Sequence, residues 1–146
     1  VDDWDKTFAI NLRAPLLVAA TAFPFLKRSG RGRIINMASQ AGIVAIEEHA
    51  AYGDSKAGLI NLTKVQAIEW ARFGITANSI SPTVVETPMA LVGWSGKKGE
   101  RAKSDIPVGR FAKPAEISHA ALYLASHEAA MVTGTNLLVD GGYCAK

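Results

Sequence analysis

Tyr52 and Lys56 stand four residues apart in the stretch Tyr52-Gly53-Asp54-Ser55-Lys56. On a helix, that spacing projects both side chains from one face. A phenol ordinarily titrates near about 10, and an ammonium held close to it favours the phenolate. Such a pair could give a proton to a substrate oxygen, or take one from it, near neutral pH. Any helix can carry Tyr and Lys at this spacing by chance, so the pair means chemistry only in company. Thirteen residues before Tyr52 comes Ser39, in Ala38-Ser39-Gln40-Ala41-Gly42, just past the apolar run Arg33-Ile34-Ile35-Asn36-Met37. A Ser in that position is more often a turn former or cap than a catalytic group.

The wider set changes the balance. Asn11 lies upstream, and Asn78-Ser79-Ile80-Ser81-Pro82 and Val85-Glu86-Thr87-Pro88-Met89 lie downstream. In this order and spacing the set resembles the short-chain dehydrogenase/reductase family, over essentially all 146 residues. The resemblance implies an α/β doubly wound parallel sheet, Rossmann-like, of which residues 1–146 read as the later half of a single domain. The family's Gly-rich first turn, its cofactor selector after the second strand and its Asn-Asn-Ala-Gly strand have no counterpart here. It also implies an NAD- or NADP-dependent oxidoreductase that interconverts a secondary alcohol and a ketone.

Carried over residue by residue, the resemblance makes Asn11, Ser39, Tyr52 and Lys56 the catalytic set. Tyr52 is the acid and base, and Lys56 tunes it and holds the nicotinamide ribose. Ser39 orients the substrate oxygen, and the main-chain carbonyl of Asn11 holds a water of the proton path. Pro82, Val85 and Thr87 join Tyr52 and Lys56 in holding the cofactor. Thr83 stands where the family usually has Gly, and a β-branched residue resists a strained loop path there. The substrate resembles a sugar, polyol or similar small alcohol; a 3-oxoacyl-thioester reductase is the alternative within the family. A non-catalytic dinucleotide sensor or interaction protein is an alternative of another class, which the complete catalytic set disfavours.

These residues need elements to hold them. Trp4, Phe8, Leu12 and Leu16 recur at helical spacing behind Asp2 and Asp3, predicting a first helix that runs to about Leu26. Within it Pro15 lacks the amide hydrogen that would bond the carbonyl four residues earlier, which is that of Asn11. Gly32 to Met37 reads as a buried strand, and Ile75 to Ile80 as the next. The helix from Tyr52 should extend to about Phe73, with Gly74 as its stop. Its apolar residues fall in two arcs, Leu59, Leu62, Trp70 and Phe73 in one and Ala57, Ile60, Ala67, Ile68 and Ala71 in the other. A helix covering one sheet needs a single stripe, so the second predicts another subunit. The resemblance agrees, implying a homodimer or homotetramer.

Residues 89–107 mix Gly with charge and show no sustained period, which predicts either an irregular lid in which Met89 and Trp94 could meet substrate or a loosely packed surface loop. His49, three residues before Tyr52, is a further candidate for the substrate entrance. Pro114 opens a late helix with Ile117, Ala121, Leu122 and Leu124 as its packing face, and Asn136 to Val139 forms a last strand.

Composition narrows the class. With 49% hydrophobic and 20% charged residues, the chain reads as a soluble globular domain. The net charge of +3 gathers around Lys97-Lys98-Gly99-Glu100-Arg101-Ala102-Lys103 without aromatic interleaving, so a solvated loop is expected there and no nucleic-acid partner. Absence of a basic and apolar leader, and of an uninterrupted run of about 18 apolar residues, predicts a cytoplasmic protein without a membrane segment. Cys144 is the single cysteine, and the three His give no metal-ligand spacing, so no metal is expected.

Overall fold

The computed structural model of the chain describes residues 1–145, and Met89 by its backbone alone. Three parallel strands, β1 (Arg33–Met37), β2 (Thr76–Pro82) and β3 (Asn136–Val139), pair in the order β1-β2-β3. Ile35 is opposite Asn78, and Ser79 is opposite Asn136. The helix α3 (Ala50–Trp70) covers one face and α6 (Pro114–Ala125) the other, so the fold is wound on both sides of the sheet. Every residue of β2 is buried, whereas β1 and β3 are the edges among the described residues.

A central strand reading Thr-Ala-Asn-Ser-Ile-Ser-Pro is polar for its depth, and Asn78, Ser79 and Ser81 find partners inside the protein, whereas the Thr76 hydroxyl is buried without one. Asn78 Nδ2 donates to the Val132 carbonyl at 2.7 Å, and its Oδ1 accepts the Thr135 amide at 3.1 Å. The hydroxyls of Ser79 and Ser81 both donate to Asn136 Oδ1 at 2.8 Å. On the α6 face, Ile80, Ala112, Ile117 and Leu124 close a dry cluster with Ile35 and Leu137 at its rim. Leu122, expected on the packing face of α6, is 69% exposed instead.

The N-terminal helix has three parts: α1 (Asp2–Phe8), a π-turn (Ala9–Arg13) and α2 (Ala14–Ser29). The Ala14 amide donates to the Ala9 carbonyl, five residues back. Pro15, next along, cannot donate at all, so the ladder is rearranged where the sequence locates the interruption. The helix runs to Ser29 rather than Leu26, and Gly30 caps it. From Asp2 to Ser29 it is 28 residues long, and an 18-residue window within it reaches a mean hydropathy of 1.5, so by length and composition this helix could cross a bilayer although no apolar run in it is uninterrupted. One side of it nevertheless packs on α3, through both α1 and the π-turn.

The two arcs of α3 resolve differently from the expectation. The buried stripe is Leu59, Ile60, Thr63, Gln66 and Ala67, which draws on both arcs and adds polar members. Thr63 Oγ1 and Gln66 Oε1 both accept from Asn36 Nδ2, at 2.9 and 3.1 Å, tying the helix to β1. Trp70 and Phe73 turn inward to α2 of the same chain, where the Phe23 ring lies 4.7 and 5.4 Å from theirs. Their apolar surface is therefore used within the subunit. Ile68 stays 81% exposed.

Residues 89–107 are also more ordered than the expected irregular lid. They hold α4 (Pro88–Gly93) and α5 (Gly96–Ser104). Thr87 Oγ1 accepts the Ala90 amide at 3.2 Å and caps α4, with Pro88 at its first position. Gly99 lies within α5, and a Cβ there would stand 2.0 Å from the Trp94 carbonyl oxygen, so the position requires glycine. What reads in sequence as a helix breaker is a close contact between the two helices' ends.

Candidate active site

A cleft of about 860 Å³ opens where β1 and β2 end. In an open parallel sheet this is the ligand-binding end of the strands. Ser39, His49, Tyr52, Lys56, Pro82, Val85, Thr87 and Trp94 all line it, so eight of the residues singled out in the sequence share one cavity.

Ser39 leaves β1 in extended backbone, and its Oγ accepts the Ala41 amide at 3.2 Å, capping the short turn Gln40–Gly42. This contact occupies a lone pair, and the hydroxyl proton is left to donate. The turn lies directly on the start of α3. A Cβ at Gly42 would stand 2.7 Å from the Ala57 nitrogen, and one at Gly53 would stand 2.8 Å from the Ala41 carbonyl oxygen. Glycine at these two positions lets the Ser39 turn and the Tyr52 helix approach as closely as they do.

Tyr52 keeps 39% of its surface exposed, toward the cleft. Lys56 lies one turn on, with Nζ 5.7 Å from the Tyr52 ring centroid and 2.7 Å from the Met37 carbonyl oxygen, to which it donates. Burial pushes the Lys56 ammonium below its ordinary pKa. His49 presents its ring to Tyr52 at 6.2 Å between centroids and 76° between planes. Its Nδ1 is 2.7 Å from the Glu47 carbonyl oxygen.

The opposite wall is the segment after β2. Thr83 accommodates its side chain without a left-handed backbone, and its amide donates to the Val139 carbonyl at 3.2 Å. Thr83 Oγ1 is buried without a hydrogen-bond partner, as is Gln40 Oε1, and both residues line the cleft. Ala112 pairs with the next residues: its amide donates to the Val84 carbonyl at 2.9 Å, and its carbonyl accepts the Glu86 amide at 2.8 Å. Behind it, Arg110 grips Glu116 through two hydrogen bonds of 2.8 and 2.6 Å. The Thr87 hydroxyl is an acceptor in its cap and can still donate its proton.

Two residues stand apart. Asn11 is outside the cleft; its Nδ2 donates to Ser55 Oγ at 3.1 Å, behind the Tyr52 helix. Met89's side chain lies outside the described residues. Sequence reasoning missed Ser55, a fully buried residue inside the Tyr52 to Lys56 stretch. It also missed Lys98 and Arg101: expected in a solvated loop, they sit on α5 and line the cleft mouth. Their i, i+3 spacing is the only sequence signal for them.

The geometry supplies an uncommitted hydroxyl proton, a phenol and an ammonium around one cavity. It can polarise an oxygen and move a proton to or from it. A family model described as enoyl-(acyl carrier protein) reductase matches residues 1–144. Among curated proteins, a D-threitol dehydrogenase of Mycolicibacterium smegmatis is 47% identical over 146 residues, covering 100% of this chain and 56% of the relative. An NAD-dependent glycerol dehydrogenase of Listeria innocua is 45% identical over 143 residues, covering 98% and 56%. The chain thus spans little more than half the length of these relatives. Among solved structures, a gluconate 5-dehydrogenase from Burkholderia cenocepacia in complex with NADP and tartrate superposes with a TM-score of 0.94 at 33% identity. That match covers 99% of this chain and 57% of the other. A short-chain dehydrogenase/reductase family oxidoreductase from Burkholderia thailandensis gives 0.93 at 34% identity, covering 100% and 57%.

Proposed function

Since this chain belongs to the short-chain dehydrogenase/reductase family, we propose that the intact protein is an NAD- or NADP-dependent oxidoreductase interconverting a secondary alcohol and a ketone. The observation that carries this reading is the meeting of Ser39, Tyr52 and Lys56 in one cleft with Pro82, Val85 and Thr87. The names of the relatives, a glycerol and a D-threitol dehydrogenase, support a sugar, polyol or similar small alcohol as substrate.

The residues present fit the nicotinamide end of such a cofactor. Thr87 has a hydroxyl proton to donate, Lys56 brings a half-buried ammonium, and the orphaned Thr83 hydroxyl marks a wall able to take a polar ligand. The nicotinamide, when bound, accepts or supplies the hydride. The chain's own residues do the rest. In the oxidising direction Tyr52 takes the substrate hydroxyl proton at its phenolic oxygen. Ser39 donates a hydrogen bond to the same oxygen and holds it in reach. Lys56, anchored on the Met37 carbonyl, keeps a positive charge beside the phenol. His49 and Trp94, which line the same cavity, are assigned to the substrate.

The protein is read as cytoplasmic, without a nucleic-acid partner, and as a homodimer or homotetramer. The apolar outer side of the N-terminal helix supports a subunit contact: Val18 is 69% and Phe25 65% exposed, and Ile68 of α3 is 81% exposed. The experiment is an absorbance assay of the intact protein with NAD and NADP against a panel of secondary alcohols, sugars and a 3-oxoacyl thioester. Turnover of polyols is the expected result. Turnover of the thioester alone would reassign the substrate, and none with any compound would overturn the reading.

A further inference from the structure

We infer that Ser55 is a positioning residue for the reaction, its buried hydroxyl bolting the π-turn that carries Asn11 to the peptide that carries Tyr52. The inference rests on the proposed oxidoreductase reading. Ser55 is 0% exposed. Its Oγ donates to the Tyr52 carbonyl at 2.8 Å and accepts from Asn11 Nδ2 at 3.1 Å. The hydroxyl's donor and one of its acceptor sites are thereby used, both by residues of the catalytic set.

The location gives the contact its leverage. In α-helical geometry the Tyr52 carbonyl is also the acceptor for the Lys56 amide, so Ser55 grips the very peptide that links the two side chains. A serine bonding back to a carbonyl three residues earlier competes with the regular ladder and sets the local bend of a helix. On the other side, Asn11 sits in the π-turn, where the backbone ladder has been rearranged next to Pro15. A rearranged turn has more freedom to slide than a regular one, and the Asn11 amide is a polar anchor of that turn to α3. Apolar contact supports the same docking, since a Cβ at Gly58, one turn beyond, would stand 2.9 Å from Leu12 Cδ2. Ser55 and Gly58 are the small residues that admit the π-turn, and only Ser55 gives it a directional bond.

A residue that only packed would affect stability. One that sets the register of Asn11 against Tyr52 would affect turnover, because misplacing catalytic groups by an ångström costs rate while leaving the binding surface in being. The test uses the intact enzyme and a substrate that the wild type turns over, so that absence of wild-type turnover counts against the oxidoreductase reading and not against this one. Ser55→Ala should lower kcat about 10- to 100-fold while the KM values for alcohol and cofactor change less than about twofold. Asn11→Ala removes the same bond from the half-buried side while keeping the main-chain carbonyl, and it carries the test should Ser55→Ala fail to fold. It should give the same split, and the double variant should be no slower than the slower single one. A lowered melting temperature with unchanged kcat in either variant would make Ser55 a packing residue and overturn the inference. Losses that multiply in the double variant would do the same, since they would mean two independent roles.

Discussion

The Lys56 ammonium donates to the Met37 carbonyl oxygen at 2.7 Å, joining the helix that carries Tyr52 to the last peptide of β1. Ser39 follows two residues later, so one short backbone segment fixes both the serine and the lysine. Two side chains and one close backbone approach thereby share a frame: Lys56 to the Met37 carbonyl, Ser39 to the Ala41 amide, and Gly53, next to Tyr52, against the Ala41 carbonyl.

From that frame, Tyr52→Phe in the intact enzyme should lower turnover about 100- to 10,000-fold, the usual worth of general acid and base catalysis. Cofactor affinity should stay nearly unchanged, because the ring remains and only the transferable proton is lost. Lys56→Ala should weaken both. Undiminished turnover in Tyr52→Phe, followed by nicotinamide absorbance, would mean that another group moves the proton.

The inner and outer sides of α3 make opposite predictions. Trp70 packs on Phe23 within the chain, so Trp70→Ala should destabilise the subunit by about 1–3 kcal/mol, less than for a fully buried tryptophan. Ile68, 81% exposed, touches little in the subunit. Ile68→Glu should leave the subunit folded, and it should dissociate the assembly if this side is the interface. Light scattering and denaturant melts separate the two outcomes, and a destabilised monomer from Ile68→Glu would count against the interface.

This division between inner and outer sides was not legible in the sequence. Apolar residues alone suggested two arcs, but Thr63 and Gln66 belong to the buried stripe because they satisfy Asn36 of β1, a partner 27 and 30 residues away. Long-range polar pairing of this kind has no sequence period. The same is true of Asn11 and Ser55, 44 residues apart. By contrast, the π-turn was signalled by local chemistry, since Pro15 removes a named hydrogen bond. The strands were legible too, with β3 matching residue for residue. Residues 89–107 misled because their glycines suggested breakers, whereas Thr87, Pro88 and the contact of Gly99 with Trp94 make two short helices.

The Arg110–Glu116 clamp predicts a pH dependence of stability. Two hydrogen bonds from Arg110 and one from the Lys113 amide hold the Glu116 carboxyl at a pKa of about 2, against an ordinary 4.5. A carboxyl depressed in the folded state adds stability that is fully present above the ordinary value and lost as pH falls through the folded one. The contribution should therefore fade between pH 4.5 and about 2. Glu116→Gln should flatten the stability profile across that window, measured by urea melts at several pH values. It should also loosen the start of α6, whose Pro114 and Ile117 line the cleft. An unchanged profile would show that the clamp does not distinguish the folded state.

The last prediction concerns the 146-residue chain by itself, which should bind NAD or NADP poorly despite holding Ser39, Tyr52 and Lys56 in one cleft. In a doubly wound fold the cofactor's pyrophosphate rests on a Gly-rich turn and a helix N-terminus, where backbone amides meet its charge. No Gly-x-Gly-x-x-Gly sequence occurs among these residues. On the proposed reading, Tyr52, Lys56, Val85 and Thr87, which share the cleft, would serve only the nicotinamide end. Each missing charge-assisted hydrogen bond is worth about 1.5–3 kcal/mol. Several of them together amount to a loss of several powers of ten in affinity. The β1 edge is open among the described residues, and an unpaired edge strand invites association, so the chain should also self-associate at high concentration. Calorimetric titration of the folded chain 1–146 with each cofactor, at a concentration where light scattering reports a monomer, measures the affinity directly. Micromolar binding would mean that the nicotinamide-side contacts suffice, and that the pyrophosphate site contributes far less than its charge implies.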